Sequence, residues 1–168
     1  VVFSMNLSVI MNCISNAVQK VGEPFINGAT DKQKVELQKL LKVEFQQSLN
    51  PDVSEIEYRL NTNVNGNRDR CDVYAETSEY QMLVEIDATR ADQLAKKMLS
   101  RYYYAHTTSQ NRPTIYICLL YPGTDSMNPN ECIKYMEMGK EVLLAMNSKN
   151  RFIGGFIKDN VVEWKNIG

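Results

Sequence analysis

One histidine, His106, is all the imidazole this sequence holds, and no two of its four cysteines stand in a CxxC pair. The first scarcity rules out a histidine-rich metal centre, and the second rules out zinc-ribbon and thioredoxin-type sites. Cys13, Cys71, Cys118 and Cys132 are scattered. A chain of this size needs no disulfide staple, so they are expected as small buried hydrophobes in a reducing compartment. GxSxG is absent, and neither Gly66 nor Gly154-Gly155 leads into a GK[ST] sequence, so serine-hydrolase and P-loop readings fail. Nothing ties a cysteine to His106, which leaves a Cys–His nucleophile unsupported. No apolar run approaches the roughly 20 residues of a membrane span. Val1 to Val9 lacks the basic region and long apolar core of a signal peptide. A cytoplasmic domain is expected, trimmed at a start where Val1 stands instead of Met.

Excess charge is also missing. Nineteen Lys and Arg face twenty Asp and Glu, a net charge of −1. That excludes a basic nucleic-acid coat protein and permits a local basic surface. With 43% apolar and 23% charged residues over 168 positions, the composition is ordinary and the length is that of one domain.

What is present divides cleanly by period. Leu7, Ile10, Met11, Ile14, Ala17, Val18 and Val21 lie at helical spacing between Ser4 and Val21, before Gly22, Pro24 and Gly28 break the pattern. A second helix is predicted from a cap at Thr30 or Asp31 to Leu49, with Leu37, Leu40, Leu41, Phe45 and Leu49 as its stripe. Strand patterns follow at Glu55–Asn61, Cys71–Thr77 and Gln81–Ala88, the first two separated by an Asn- and Gly-rich loop, Thr62 to Asn67. A helix over Arg90–His106 places Ala91, Leu94, Ala95, Met98, Tyr102 and Ala105 on one stripe. Thr114–Tyr121 is an unbroken apolar run, as in a strand covered on both faces. Pro129 opens a last helix to about Asn147, and Arg151–Trp164 reads as a hairpin around Asp159-Asn160. This order predicts an α/β (α+β) fold: a mixed sheet containing an antiparallel three-strand meander, flanked by helices.

Two stretches carry the chemistry. Arg68-Asp69-Arg70-Cys71-Asp72 enters the second strand, and Val84-Glu85-Ile86-Asp87 lies on the third. An antiparallel hairpin brings Asp72 beside Glu85, while period-two geometry puts Glu85 and Asp87 on one face and Val84, Ile86 and Ala88 on the other. Clustered carboxylates repel unless a cation sits among them or one is protonated. Mg²⁺ favours such oxygens and commonly bridges to phosphate. The bland alternative is the solvated side of a half-exposed strand.

In the order of its elements and in these residues, roughly Asp31 to Asn147 resembles the restriction endonuclease-like, or PD-(D/E)XK, nuclease superfamily. The resemblance implies a Mg²⁺-dependent endonuclease, with Mn²⁺ as substitute ion, that hydrolyses phosphodiester bonds, DNA being the expected substrate. It makes Asp72 and Glu85 metal ligands and Ile86 a ligand through its peptide carbonyl. The sequence departs from the family twice: no proline precedes Asp72, and Asp87 stands where a lysine is usual. Asp87 would then orient metal-bound water or bind a second ion. The missing lysine would come from the following helix, where Arg90, Lys97 and Arg101 share a flank. Lys97 is the first candidate for that catalytic role and Arg90 the next. A glutamate from the helix before the meander often completes such a site. Glu44 fits, falling on the apolar stripe, with Glu36 as alternate. The expected domain spans 1–168, with 1–29 a helical extension, 31–147 the core and 151–164 a closing hairpin. Many such nucleases pair to cut two strands, which leaves a homodimer open.

Between Ala88 and Arg112 five basic residues meet one acid, with Tyr102, Tyr103, Tyr104 and His106 alongside. Phosphate contacts need such local charge. Arg70, Arg90 and Arg101 are the candidate nucleic-acid contacts, and Arg59 and Arg68 add charge nearby. Consecutive aromatics at a helix end usually pack instead of stacking on bases. Two other classes stay open: an inactive nuclease-like module binding nucleic acid or a partner protein, and an unrelated α/β interaction domain.

Overall fold

The computed structural model describes residues 6–60, 69–108 and 111–168. Ser4, the Thr62–Asn67 loop and Arg68 lie outside them. Four helices and six strands run in the order α1 (Leu7–Lys20), α2 (Asp31–Leu49), β1 (Val53–Arg59), β2 (Arg70–Glu76), β3 (Gln81–Ala88), α3 (Ala91–Thr108), β4 (Thr114–Tyr121), α4 (Pro129–Met146), β5 (Arg151–Lys158) and β6 (Val161–Ile167). Their ends follow local chemistry. The Asn6 side chain accepts the Ser8 N–H at the start of α1, and the Gln33 side chain accepts the Thr30 N–H at the start of α2. Asn50 closes α2 in the left-handed region, before Pro51. Asn128 caps α4 by accepting the Asn130 N–H, with Pro129 at the first helical position.

The six strands form one sheet in sequence order. β1, β2 and β3 pair antiparallel, β3–β4 and β4–β5 pair parallel, and β6 returns antiparallel to β5. The two parallel steps are made by α3 and α4, and crossovers of one hand put both helices on one face. They close a core of Leu94, Met98, Tyr102, Tyr116, Met136 and Phe152. The opposite face needs its own cover, and α1 with α2 supplies it through Ile10, Ile14, Val18, Leu37, Leu41 and Phe45. Residues 1–29, expected as an extension, thus contribute α1 to an essential layer. Ala95, expected on the buried stripe of α3, is exposed, whereas Arg101 is buried. All of β4 is buried, as its unbroken apolar run requires. No helix among the described residues is long and apolar enough to cross a membrane.

Candidate metal and phosphate site

The pairing of β2 with β3 runs from Glu76–Gln81 to Val73–Val84. One step further the Asp72 side chain takes over from the backbone: its Oδ2 accepts the Ile86 N–H at 2.7 Å. β1 is irregular at the same level. Its ladder to β2 passes from Ile56–Val73 to Tyr58–Cys71, and Glu57 between them adopts φ +49°. A left-handed glutamate inside a strand costs about 1–3 kcal/mol, and such strain gathers at functional sites.

At this opening the three predicted acids meet. Asp72, Glu85 and Asp87 each offer a carboxylate oxygen, and these atoms all lie within 4.8 Å of one another. Asp72 is 6% exposed and Glu85 2%, so the bland reading of a solvated strand face fails. Burial raises both acids above the ordinary carboxylate range. For Asp72 the Asp87 charge adds to the rise, while Lys34 and the Ile86 N–H oppose it. For Glu85 the charge of Asp72 adds, and Arg101 opposes. Glu85 Oε2 is buried with no hydrogen-bond partner.

Cations arrive from both helical layers. On α3, Lys97 pairs with Asp87, and Arg101 Nε donates to Glu85 Oε1 at 2.5 Å. Four residues of helix advance about 6 Å and two residues of strand about 6.6 Å, so Lys97 and Arg101 match the spacing of Asp87 and Glu85. α3 runs back along β3, which fixes that order. On α2, Lys34 Nζ lies 3.3 Å from Asp72 Oδ1 and 3.7 Å from Asp87 Oδ1. Burial disfavours the Lys34 ammonium, but Asp72 and Asp87 outweigh it and push its pKa up to about 12. One turn on, Gln38 Nε2 donates to Asp72 Oδ1 at 3.2 Å and to Glu57 Oε1 at 2.8 Å. Three acids therefore face three cations, with Glu57 joined through an amide.

Several expected site residues lie elsewhere. Glu44 is not in the cluster. It is buried beside α1, where its Oε1 accepts from Lys20 Nζ at 2.6 Å. The alternate, Glu36, accepts the Gly22 N–H at 3.0 Å. Arg101 is not a surface contact for nucleic acid. At 7% exposure its guanidinium is committed to Glu85 and to the Arg70 carbonyl, because its helical flank faces the acids. Arg90 pairs with Asp92 at the surface through two hydrogen bonds of 3.0 and 2.8 Å, whereas Lys97 is the one that meets Asp87. The Arg70 side chain is exposed beside the site. Tyr102 and Tyr104 are buried, and Tyr103 is half exposed. All four cysteines are buried thiols.

Lys34, Gln38 and Glu57 were not anticipated. A signal for Lys34 exists: at 100° per residue it falls about 20° from Leu41 on the helical wheel, whereas Glu44 falls about 60° away. The donor set of three carboxylates is all oxygen, which suits a hard divalent cation, and the unpartnered Glu85 Oε2 is an available ligand atom.

No family model matches the chain, and no curated protein matches it at a significant level. Among solved structures it is similar to Pyrococcus furiosus SfsA in complex with Ca²⁺, at 10% identity and a TM-score of 0.41. The match covers 81% of this chain and 61% of that one, so the chain spans less than two-thirds of that protein.

Proposed function

We propose that this protein is a Mg²⁺-dependent nuclease of the restriction endonuclease-like type, hydrolysing phosphodiester bonds in DNA, with Mn²⁺ as substitute ion. The observation that carries this reading is the convergence of Asp72, Glu85 and Asp87 from adjoining strands, with one buried carboxylate oxygen left without a partner. Asp72, Glu85 and the Ile86 carbonyl would hold the ion. When bound, it supplies a Lewis acid for a phosphoryl oxygen and lowers the pKa of a coordinated water. Asp87 would orient metal-bound water or bind a second ion. Lys97, a quarter exposed beside Asp87, offsets charge that develops on the phosphate. Arg101 opposes the burial-driven rise of the Glu85 carboxyl and holds it in place, and Lys34 does the same for Asp72. Arg70, exposed at the entry to β2, contacts the flanking backbone.

A second reading has its own support. Lys34, Lys97 and Arg101 already compensate the three acids, as they would in an inactive nuclease-like module that binds nucleic acid. Purified protein incubated with Mn²⁺ or Mg²⁺ and single- or double-stranded DNA separates the two. Cleavage abolished by Asp72→Ala supports the nuclease. Absence of cleavage, with binding that survives Asp72→Ala, supports the module.

A further inference from the structure

Beside the acids, on the same face of the sheet, lies a cavity of about 530 Å³ that the chemistry above does not use. The pairing register shows how the two are connected. Asp87 pairs with Leu120, Leu120 with Phe156, and Phe156 with Glu163, so these residues form one row across β3, β4, β5 and β6. Paired neighbours in a sheet point the same way, with strands about 4.8 Å apart. The cavity therefore opens about one strand beyond Asp87 and centres near Phe156, roughly 10 Å across the sheet.

Its walls are apolar: Leu120, Ile133 and Phe156 are among its lining, with Val161 at an exposed rim. Its charges are two lysines and two acids, Lys158, Lys165, Asp159 and Glu163, and Lys165 is paired with Glu163 at 2.6 Å. That balance does not suit a phosphate. It suits a planar, uncharged group with apolar faces and hydrogen-bonding edges, and the volume is that of a small-molecule site.

We propose that this cavity is a nucleobase subsite, receiving the base of a nucleotide adjoining the phosphate held at the acids. The inference rests on the nuclease reading and names its substrate class. A base stacked within a duplex cannot enter a recess in a protein surface, so the substrate is single-stranded nucleic acid or a strand with an unpaired base. Phe156 provides the stacking surface, and Asn130 with the charged rim meets the base edges.

Val161→Trp fills the mouth from an exposed position and spares the fold, and Phe156→Ala removes the stacking face. Methyl-resolved NMR of the full chain, titrated with thymidine monophosphate and adenosine monophosphate, is expected to shift Leu120, Ile133 and Val161. Fluorescence anisotropy with a short single-stranded oligonucleotide is expected to show binding at least about tenfold tighter than to a blunt duplex, a preference lost in V161W. Equal binding of duplex and single strand, or shifts that survive V161W, would overturn the subsite. Mn²⁺ broadening of resonances at residues 85–87 is a separate readout of the acids. Its absence would overturn the metal-site reading, and with it the phosphate beside which this subsite is placed. Its presence without nucleotide shifts would overturn the subsite alone.

Discussion

The pair of Arg101 and Glu85 makes the most direct claim about how the acids are held. Glu85 is 2% exposed and Arg101 7%, with 2.5 Å between Nε and Oε1. Replacing one partner of such a buried pair leaves an uncompensated charge, at a cost of about 3–5 kcal/mol. Arg101→Met keeps the aliphatic stem and removes only the guanidinium. In EDTA it should lose that amount in urea unfolding. At roughly 2–4 °C per kcal/mol for a chain of this length, melting should fall by roughly 6–20 °C. Glu85→Gln placed in the same chain should recover part of the loss, since the unpaired charge is gone. Mg²⁺ should also restore stability, by about 2.7 kcal/mol at a hundredfold excess over its dissociation constant.

The sign of the pH dependence is fixed by the same residues. Burial and Asp72 raise the Glu85 carboxyl, and Arg101 opposes them. A raised folded-state pKa means the native chain keeps its proton longer than the unfolded chain does. Stability is then fully present below the unfolded pKa and is lost as pH rises towards the folded value. Arg101→Met removes the opposing influence, so its deficit should widen as pH rises through and above the ordinary carboxylate range. An R101M protein within about 1 kcal/mol of wild type, or a double variant no more stable than R101M, would refute the reasoning.

Three further outcomes are expected. Mg²⁺ affinity, measured calorimetrically, should weaken on acidification at a pH above that of exposed carboxylates, because burial raises Asp72 and Glu85 and the ion must displace their protons. Lys97→Met should lower DNA turnover about 100-fold or more while leaving stability within roughly 1 kcal/mol, which paired kinetic and urea measurements would check. Gly123→Ala would put its Cβ 2.7 Å from that of Ala88, at the end of the strand that carries Asp87. Neither methyl can rotate away, so urea unfolding should show a loss of about 1–3 kcal/mol.

Period alone was enough to locate most of this architecture. Gln81–Ala88 and Thr114–Tyr121 form strands over their expected ranges, and the unbroken apolar run of the second is read directly as two-sided burial, whereas the acids of the first hid that both its faces are covered. The acids were legible for a related reason. Period two places Glu85 and Asp87 together, and the short connection between β2 and β3 sets the antiparallel register that brings Asp72 alongside. Lys97 was legible because the helical wheel puts it on the flank facing the sheet. The same flank also contains Arg101, whose charge suggested a phosphate contact. A charge pattern cannot distinguish a cation that waits for substrate from one already matched to a buried acid on the next element.

The second helix shows what a wheel leaves out. Lys34 and Glu44 both fall on the inward side of α2, but ten residues separate them, about 15 Å along the axis. Only the Lys34 end reaches the opening between β2 and β3. The Glu44 end packs beside α1, where Lys20 meets it. Periodicity gives an angle around the axis, whereas position along it is set by how far the chain travels between Asn50 and Asp72 and by the register of β1 on β2. That register places Glu57 opposite Asp72, at the level Gln38 reaches from α2. A charged residue on an apolar stripe therefore marks an oppositely charged partner on a neighbouring element. Which partner it meets depends on helix and strand lengths together.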